Sequence, residues 1–336
     1  MFGTLGTLTN AQDIHFSQFH FTPLINNPSK AGSENTVRGT LNYRNQWKSI
    51  ATPYKTGSIT VDGPFGEALS SESGRLAWGV TVFSDKAGQS EMSTFQTAGS
   101  LAYHLQVSDY SVVSAGLQAA YVSRSLNMSD LTWGNQFDGY AYDPSLPAGE
   151  NTSSDNIGFV DVGAGISYSY KKGERYMTGN DQLQVNGGVA YFHPHKPDYS
   201  FTGTNERLNP KLVVHGEALV GVPNTNLSLV PSIIVMNQGS QSEINAGTMF
   251  RYVMKVESNY TGFEKGSAIS LGMHYRVGDA MIPSLLAEFG DYALGVSYDI
   301  NLSDLEAAST KRGGMEVAIR YMAPVKKRGG GGSRRY

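Results

Sequence analysis

The stretch that decides the fold is Gln12–Trp47, QDIHFSQFHFTPLINNPSKAGSENTVRGTLNYRNQW. Its first part, through about Gly32, is rich in aromatic residues, proline and asparagine and has no steady period. Its second part alternates between an apolar face and a polar face: Val37, Leu41 and Tyr43 against Arg38, Thr40, Asn42 and Arg44. Such alternation predicts a β-strand with one apolar and one polar side. The rest of the chain repeats the strand pattern and never repeats the first part.

From residue 36 onward, about fourteen segments of roughly 8–15 residues show this period of two, separated by clusters of turn-forming residues. They lie near 36–47, 55–62, 75–84, 93–105, 110–123, 156–170, 182–193, 208–222, 226–236, 243–254, 267–277, 281–289, 292–300 and 315–322. The segment 292–300 is a clear case, because Tyr292, Leu294 and Val296 alternate with Ala293 and Gly295. One face carries large apolar residues and the other carries small or polar ones.

These segments predict an all-β protein, either a transmembrane antiparallel barrel of about fourteen strands or a soluble β-sandwich. Four features favour the barrel. The segment lengths approach the roughly 9–11 residues that a tilted strand needs to cross a bilayer, and bacterial barrels have an even number of strands. Charged residues make up only 16% of the chain, below the roughly 25–35% of a soluble surface. Finally, closure removes the unpaired edges of an open sheet.

We divide the chain into four parts. Residues 1–11 are interpreted as the remnant of a secretory signal peptide cleaved after Ala11. Residues 12–35 form an irregular N-terminal segment, in the periplasm or plugging the lumen. Residues 36–323 form the barrel, and 324–336 form a basic, glycine-rich, flexible tail. With the first strand running outward, the longest connection, 124–155, falls on the outside, as expected for such barrels.

The sequence offers little for catalysis or for cofactors. A net charge of −3 gives no reason to expect nucleic acid as a partner, and with no cysteine there is neither a disulfide nor a thiolate site. The two histidines of His193-Pro194-His195 have no third ligand nearby in the sequence. The acidic residues of 124–155 match no regular calcium loop. No nucleophile motif is present, so we expect no enzyme, metal or cofactor.

Two blocks of the opening stretch resemble the start of the PorP/SprF family. The first block runs from Asp13 through Phe16-Ser17-Gln18-Phe19, Thr22-Pro23-Leu24 and Asn26-Asn27-Pro28 to Ala31-Gly32; the second is Arg38, Asn42-Tyr43-Arg44-Asn45-Gln46-Trp47 and Tyr54. Members are outer-membrane barrels of the bacterial type IX secretion and gliding machinery. The basic end Arg334-Arg335-Tyr336 also resembles the family, although the family's usual cysteine near that end is absent.

The resemblance implies a barrel of about fourteen strands that works as a non-enzymatic accessory in the outer membrane. It implies two kinds of partner besides lipid: the translocon or periplasmic ring components, and a surface adhesin-type cargo held through its type IX C-terminal domain. The sequence leaves two alternatives open, a diffusion porin or hydrophobic-substrate transporter, and a soluble or surface structural β-protein.

Three groups of candidate site residues follow. A sticky N-terminal set is expected to plug the barrel or bind a partner, packing across the periplasmic mouth with Arg38 and Arg44 holding it from inside: Phe16, Gln18, Phe19, Pro23, Asn27 and Pro28. A second set on the polar strand faces is expected to face the lumen: Arg38, Arg44, Gln46, Arg276 and Arg320. A third set in the long outer loop is expected to contact cargo: Trp133, Phe137, Tyr140 and Tyr142.

Overall fold

The computed structural model describes residues 13–34, 36–46, 53–66, 74–88, 92–127, 134–147, 149, 156–173, 180–201, 206–255, 266–302 and 312–324. Within them lie fourteen strands: β1 Thr36–Gln46, β2 Tyr54–Pro64, β3 Gly74–Ala87, β4 Met92–Ser108, β5 Ser111–Ser125, β6 Asn156–Lys172, β7 Leu183–Phe192, β8 Lys211–Gly221, β9 Leu227–Gln238, β10 Gln241–Lys255, β11 Ser267–Arg276, β12 Ala280–Phe289, β13 Tyr292–Asn301 and β14 Arg312–Pro324. Each predicted segment corresponds to one strand, in order. The prediction of a fourteen-stranded barrel is therefore confirmed.

The strands form one closed antiparallel barrel in which each strand pairs with its sequence neighbours. Closure is made by β1 and β14, whose register runs from Thr36 opposite Pro324 to Gln46 opposite Gly314. Because β1 begins where β14 ends, we call this end of the barrel the base and the opposite end the rim. The two longest connections, 126–155 and 193–210, both join strands at the rim.

Burial follows the predicted alternation. On β1 the side chains of Leu41 and Tyr43 are exposed on the outer surface, while Asn42 and Arg44 between them are buried. The outer surface is a band of exposed apolar residues such as Leu117, 67% exposed, and Leu271, 63% exposed. Water would not stabilise such a continuous apolar band, whereas a bilayer does. The polar strand faces point into the lumen.

Residues 13–34, which we call the strap, lie inside this lumen. The strap contains three short helical turns, Phe19–Phe21, Pro23–Asn26 and Pro28–Lys30. Pro23 and Pro28 each begin a turn, where proline's missing N–H costs nothing. One further turn, Gly134–Gln136, lies in the 126–155 connection. No helix among the described residues is long and apolar enough to cross a membrane.

Candidate functional site: the strap in the lumen and the loops at the rim

The first part of the strap is held at the rim by a buried ion cluster. The Asp299 carboxylate accepts hydrogen bonds from Ser17 Oγ at 2.7 Å, Arg44 Nη2 at 2.9 Å and Arg276 Nη2 at 2.7 Å. Arg44 also donates to the main-chain oxygen of His15. All of these side chains except that of His15 are buried. A buried charge needs such partners, because burying an unpaired charge is strongly unfavourable in free energy.

Glu316 of β14 binds the strap backbone directly. Its two carboxylate oxygens accept from the N–H groups of Ser17 at 2.8 Å and Gln18 at 3.1 Å. The Gln18 side chain donates back to the Glu316 main-chain oxygen at 3.1 Å. The strap has no strand partner for its backbone at this point, so a wall carboxylate satisfies its donors. Gln18 therefore lies against the wall rather than toward solvent.

The strap starts at a second charged group. Asp13 Oδ2 lies 2.7 Å from His193 Nε2 and 3.6 Å from Lys211 Nζ, and Asp161 Oδ1 lies 2.9 Å from His193 Nδ1. Burial alone would lower the pKa of His193, but the hydrogen bond to Asp13 and the charges of Asp13 and Asp161 raise that pKa to about 9. Burial would raise the pKa of Asp13, but Lys211 and His193 lower it. At neutral pH the group is a carboxylate–imidazolium–carboxylate ion cluster.

In the middle of the strap, Asn27 is fully buried and joins two wall strands. Its amide nitrogen donates to the main-chain oxygens of Ile166 at 3.1 Å and Val189 at 3.3 Å, and lies 3.1 Å from His215 Nε2. Its amide oxygen accepts from the N–H of Ser29, which caps the turn Pro28–Lys30. Asn27 and Pro28, which form the Asn-Pro pair of the family-like motif, thus start a turn of the strap and bind the strap to the wall.

The last part of the strap is held at the base. The N–H of Gly32 donates to Asp62 Oδ2 at 2.7 Å, and Arg38 makes a paired contact with the same carboxylate at 2.9 and 2.8 Å. Arg38 also donates to the main-chain oxygen of Lys30 at 3.3 Å, and Arg75 donates to that of Ser33 at 2.7 Å. Gly32 has φ of 59°, a left-handed conformation that glycine adopts without strain.

Apolar strap residues pack against the wall in small separate clusters. Phe19 packs with Ala190, Phe192, Val213, Ile234 and Met236, Phe21 packs with Leu286, Ala293 and Ala318, and Leu24 packs with Ala31 and Ala102. Each cluster contains at least one wall alanine, which leaves room for the larger strap side chain. The clusters occupy the lumen where an open pore would need water.

A polar cavity of about 200 Å³ remains between the strap and the wall in the base half of the lumen. Its wall carries an ion-pair network, in which Arg251 Nε lies 2.7 Å and Arg320 Nη2 lies 3.6 Å from Glu288. Glu217 and the strap's Lys30 also line it. The strap therefore does not fill the lumen evenly.

The predicted strap residues lie together in the lumen: Phe16, Gln18, Phe19, Pro23, Asn27 and Pro28, all buried. The strap extends along the barrel from rim to base, whereas the sequence hypothesis placed it across one mouth only. The reason is that its polar partners occur at both ends, Asp299 and Glu316 near the rim and Asp62 at the base. Arg38 and Arg44 bind opposite ends of the strap.

The predicted lumen residues lie on inward-facing positions of their strands. Arg38, Arg44 and Arg276 are buried in ion pairs, as described above. Arg320 is 21% exposed and lies 5.3 Å above the ring of Phe21, a cation–π contact. Gln46 is half-buried at the end of β1, in the same alternating set. Gln46 is the last residue of β1 and therefore lies at the rim.

The predicted loop residues form a tight turn at the rim, apart from Trp133, which lies outside the described residues. Phe137 and Tyr142 form an isolated β-bridge, and Asp138 accepts from the N–H groups of Tyr140 and Ala141 at 2.8 and 2.7 Å. This geometry presents three aromatic rings to solvent, Tyr140 being 96% exposed, Phe137 58% and Tyr142 47%. Exposed aromatic groups of this kind are typical of binding surfaces.

The His-Pro-His motif has a different use. His193 joins the ion cluster described above, while His195 Nε2 lies 2.9 Å from the main-chain oxygen of Val160. The two imidazoles thus face different partners. In the part of the chain that the structure describes, no group of three or more acidic, histidine or cysteine residues is arranged to hold a metal ion.

Sequence reasoning missed several residues that bind the strap, Asp62, His193, Lys211 and His215, and it missed Asp161, which binds His193. A signal existed for two of them, because Asp62 and Asp161 are carboxylates on the polar face of a predicted strand. A lone acid on an inward face needs a partner. Arg38 and the Gly32 N–H supply that partner for Asp62, and His193 supplies it for Asp161, contacts that only the tertiary structure reveals.

The fold and this internal strap define the class of protein: an outer-membrane β-barrel whose lumen holds its own N-terminal segment. A model of the family described as type IX secretion system membrane protein PorP/SprF matches residues 8–321. The chain belongs to this family. The family match and the barrel fit an outer-membrane location. Comparison with curated proteins gave no match.

Solved structures with a similar fold include other barrels. One is a TodX monoaromatic hydrocarbon channel with the deltaS2S3 mutation, with a TM-score of 0.50 and 10% identity over 90% of this chain and 94% of that chain. Another is BamA from Haemophilus ducreyi lacking POTRA domains 1–3, with a TM-score of 0.44 and 10% identity over 84% of this chain and 70% of that chain. At these identities the likeness concerns the fold alone.

Proposed function

We propose that this barrel is a non-enzymatic accessory of type IX secretion that helps deliver or anchor a surface adhesin-type cargo by binding the cargo's C-terminal domain. Membership of the PorP/SprF family supports the secretion role. The periplasmic ring or the translocon is the second partner. The basic tail 325–336 lies outside the described residues.

The observation that most supports cargo binding is the exposed aromatic turn Phe137–Tyr142 at the rim. Aromatic side chains supply much contact area for little conformational entropy, so they dominate many protein interfaces. The turn is fixed internally by Asp138 and the Phe137–Tyr142 bridge. A pre-ordered turn binds with a smaller entropic cost than a flexible one.

The alternative, a diffusion porin or hydrophobic-substrate transporter, needs a path through the barrel. The strap and its apolar clusters occupy that path between rim and base. This arrangement favours the accessory role over a resting pore.

An affinity pull-down from detergent-solubilised outer membranes of the native host, read by mass spectrometry, tests the proposal. We expect a large secreted adhesin with a type IX C-terminal domain, together with translocon or ring components, in the wild-type eluate. Replacing Phe137, Tyr140 and Tyr142 by serine should remove the adhesin while leaving the barrel's abundance unchanged. Replacing the whole 126–155 connection by a short turn should do the same.

The matched control is Tyr110→Ser, since Tyr110 is also an exposed aromatic (51%) but lies in the two-residue turn at the base. This control should retain the adhesin. A wild-type barrel that elutes alone, from membranes rich in adhesin and ring components, would contradict the accessory role. Adhesin retained by the triple-serine variant would contradict the assignment of the rim turn.

A further inference from the structure

The direction of the strap has a consequence for the topology of the whole chain. At Asp13 the backbone N–H donates to Gln238 Oε1 at 2.8 Å, and the carboxylate faces Lys211. Gln238 is the last residue of β9 and Lys211 the first of β8, and both ends lie at the rim. The chain therefore enters the described structure at the rim.

Twenty residues later the strap is at the opposite end. Gly32 and Ser33 contact Asp62 and Arg75, which lie near the base ends of β2 and β3. From there β1 begins at the base and returns toward the rim alongside β14. The chain thus crosses the length of the barrel once as strap before its first strand.

We propose that the strap is threaded through the barrel, so that its Asp13 end lies at the outer face, opposite the periplasmic end of β14. Outer-membrane barrels place their long loops outside, and the two longest connections, 126–155 and 193–210, are at this rim. The inference rests on these contacts and stands whether or not the barrel binds an adhesin.

The closing strands support threading. β1 holds the strap through Arg38 and Arg44, and β14 holds it through Glu316. Both strands of the seam between β1 and β14 therefore bind the strap. These contacts hold the strap inside the closed barrel against both strands of the closing seam.

Single-cysteine labelling on intact cells tests the proposal, because the chain has no cysteine. We insert Gly-Cys-Gly between positions 12 and 13. Two controls fix the orientation: Tyr140→Cys in the rim turn and Asp109→Cys in the exposed base turn. A membrane-impermeant maleimide should label the inserted cysteine and Tyr140→Cys on intact cells, and Asp109→Cys only after the outer membrane is permeabilised.

Threading is overturned if the inserted cysteine behaves as Asp109→Cys does, with labelling only after permeabilisation. A second variant confirms that the strap is seated. Ser29 Oγ lies 2.8 Å from Ser167 Oγ of β6, so Ser29→Cys combined with Ser167→Cys should form a disulfide on oxidation and change gel mobility. Failure of this disulfide in a folded, heat-modifiable barrel would also count against the threaded strap.

Discussion

Asp299 is the residue on which the rim part of the strap depends most. Its carboxylate binds two buried guanidinium groups, those of Arg44 and Arg276, as well as the hydroxyl of Ser17. Glu288 also lies between two arginines, Arg251 and Arg320, but all three are between 21% and 25% exposed. The two clusters thus differ in their exposure to solvent, and that difference decides how much the loss of each carboxylate destabilises the fold.

Asp299→Ala should therefore cost far more than Glu288→Ala. The first change leaves the buried Arg44 guanidinium without its ion-pair partner and leaves Arg276 with only Asp279 and Glu243, at about 3–5 kcal/mol of unfolding free energy. The second breaks a screened pair worth about 0.2–1 kcal/mol. Urea titrations of the purified barrel in lipid vesicles, followed by gel mobility, measure both. Equal losses for the two variants would show that the buried cluster has no special role.

His193 should make the seating of the strap dependent on pH at the alkaline side. The pKa of His193 is raised to about 9, because Asp13 and Asp161 outweigh burial. A raised folded-state pKa means that the stabilisation is complete below the unfolded value near 6.5 and is lost as pH rises through about 9. The shift corresponds to stabilisation on the order of 3 kcal/mol.

The measurement is the stability of wild type and His193→Gln from pH 6 to pH 10.5. Wild type should be the more stable at pH 6, and the two curves should converge above about pH 9. His195→Gln is the matched control, since His195 contacts only the Val160 carbonyl among its described partners. A constant difference at every pH would contradict the ion cluster.

At the scale of elements, the strap forms hydrogen bonds with the strands and also packs closely against them where a strand residue has no side chain. A Cβ placed on Gly116 of β5 would lie 2.5 Å from the backbone of both Pro28 and Ser29. The strap backbone thus approaches the strand more closely than any residue with a side chain would permit. The neighbouring Ala115 points outward and is exposed.

Gly116→Val should displace the middle of the strap, whereas Ala115→Val should not. Overpacking at Gly116 should lower the free energy of unfolding by about 1–3 kcal/mol. At Ala115, whose side chain points outward, the free energy of unfolding should change by no more than about 0.5 kcal/mol. Disulfide formation between Ser29→Cys and Ser167→Cys reports the displacement directly. If Gly116→Val left that disulfide intact, the close approach at this point would be disproved.

The strands and the strap also differ in how far sequence could predict them. Each strand has a local signal, as in Tyr292–Asn301, because the lipid face selects large residues at every second position. The strap has no such period, since Asn27 and Ser17 are fixed by β6, β7 and β13, far away in sequence. Motifs indicated that the strap matters, but its path through the lumen depends on tertiary contacts alone.

At the scale of the whole molecule, the strap fills the rim half of the lumen more completely than the base half. The rim part of the lumen is taken up by the Phe19 cluster and by the charged group around Asp299, and the Phe21 cluster lies nearer the base. The base part keeps a polar cavity lined by Glu217, Arg251 and Glu288. A lumen filled in this way agrees better with the proposed accessory role than with diffusion through the barrel.

The purified barrel should consequently be silent in a planar lipid bilayer, because water and ions lack a continuous path past the strap. A variant lacking residues 13–33 removes the strap members of all three apolar clusters and should conduct steadily. The triple-serine variant of Phe137, Tyr140 and Tyr142 keeps the strap and should stay silent, which separates lumen opening from any change at the rim. Heat-modifiable gel mobility must first show that each barrel is folded. Steady conductance by the wild-type barrel would mean that the strap leaves a passage, and the porin function would then be favoured over the accessory function.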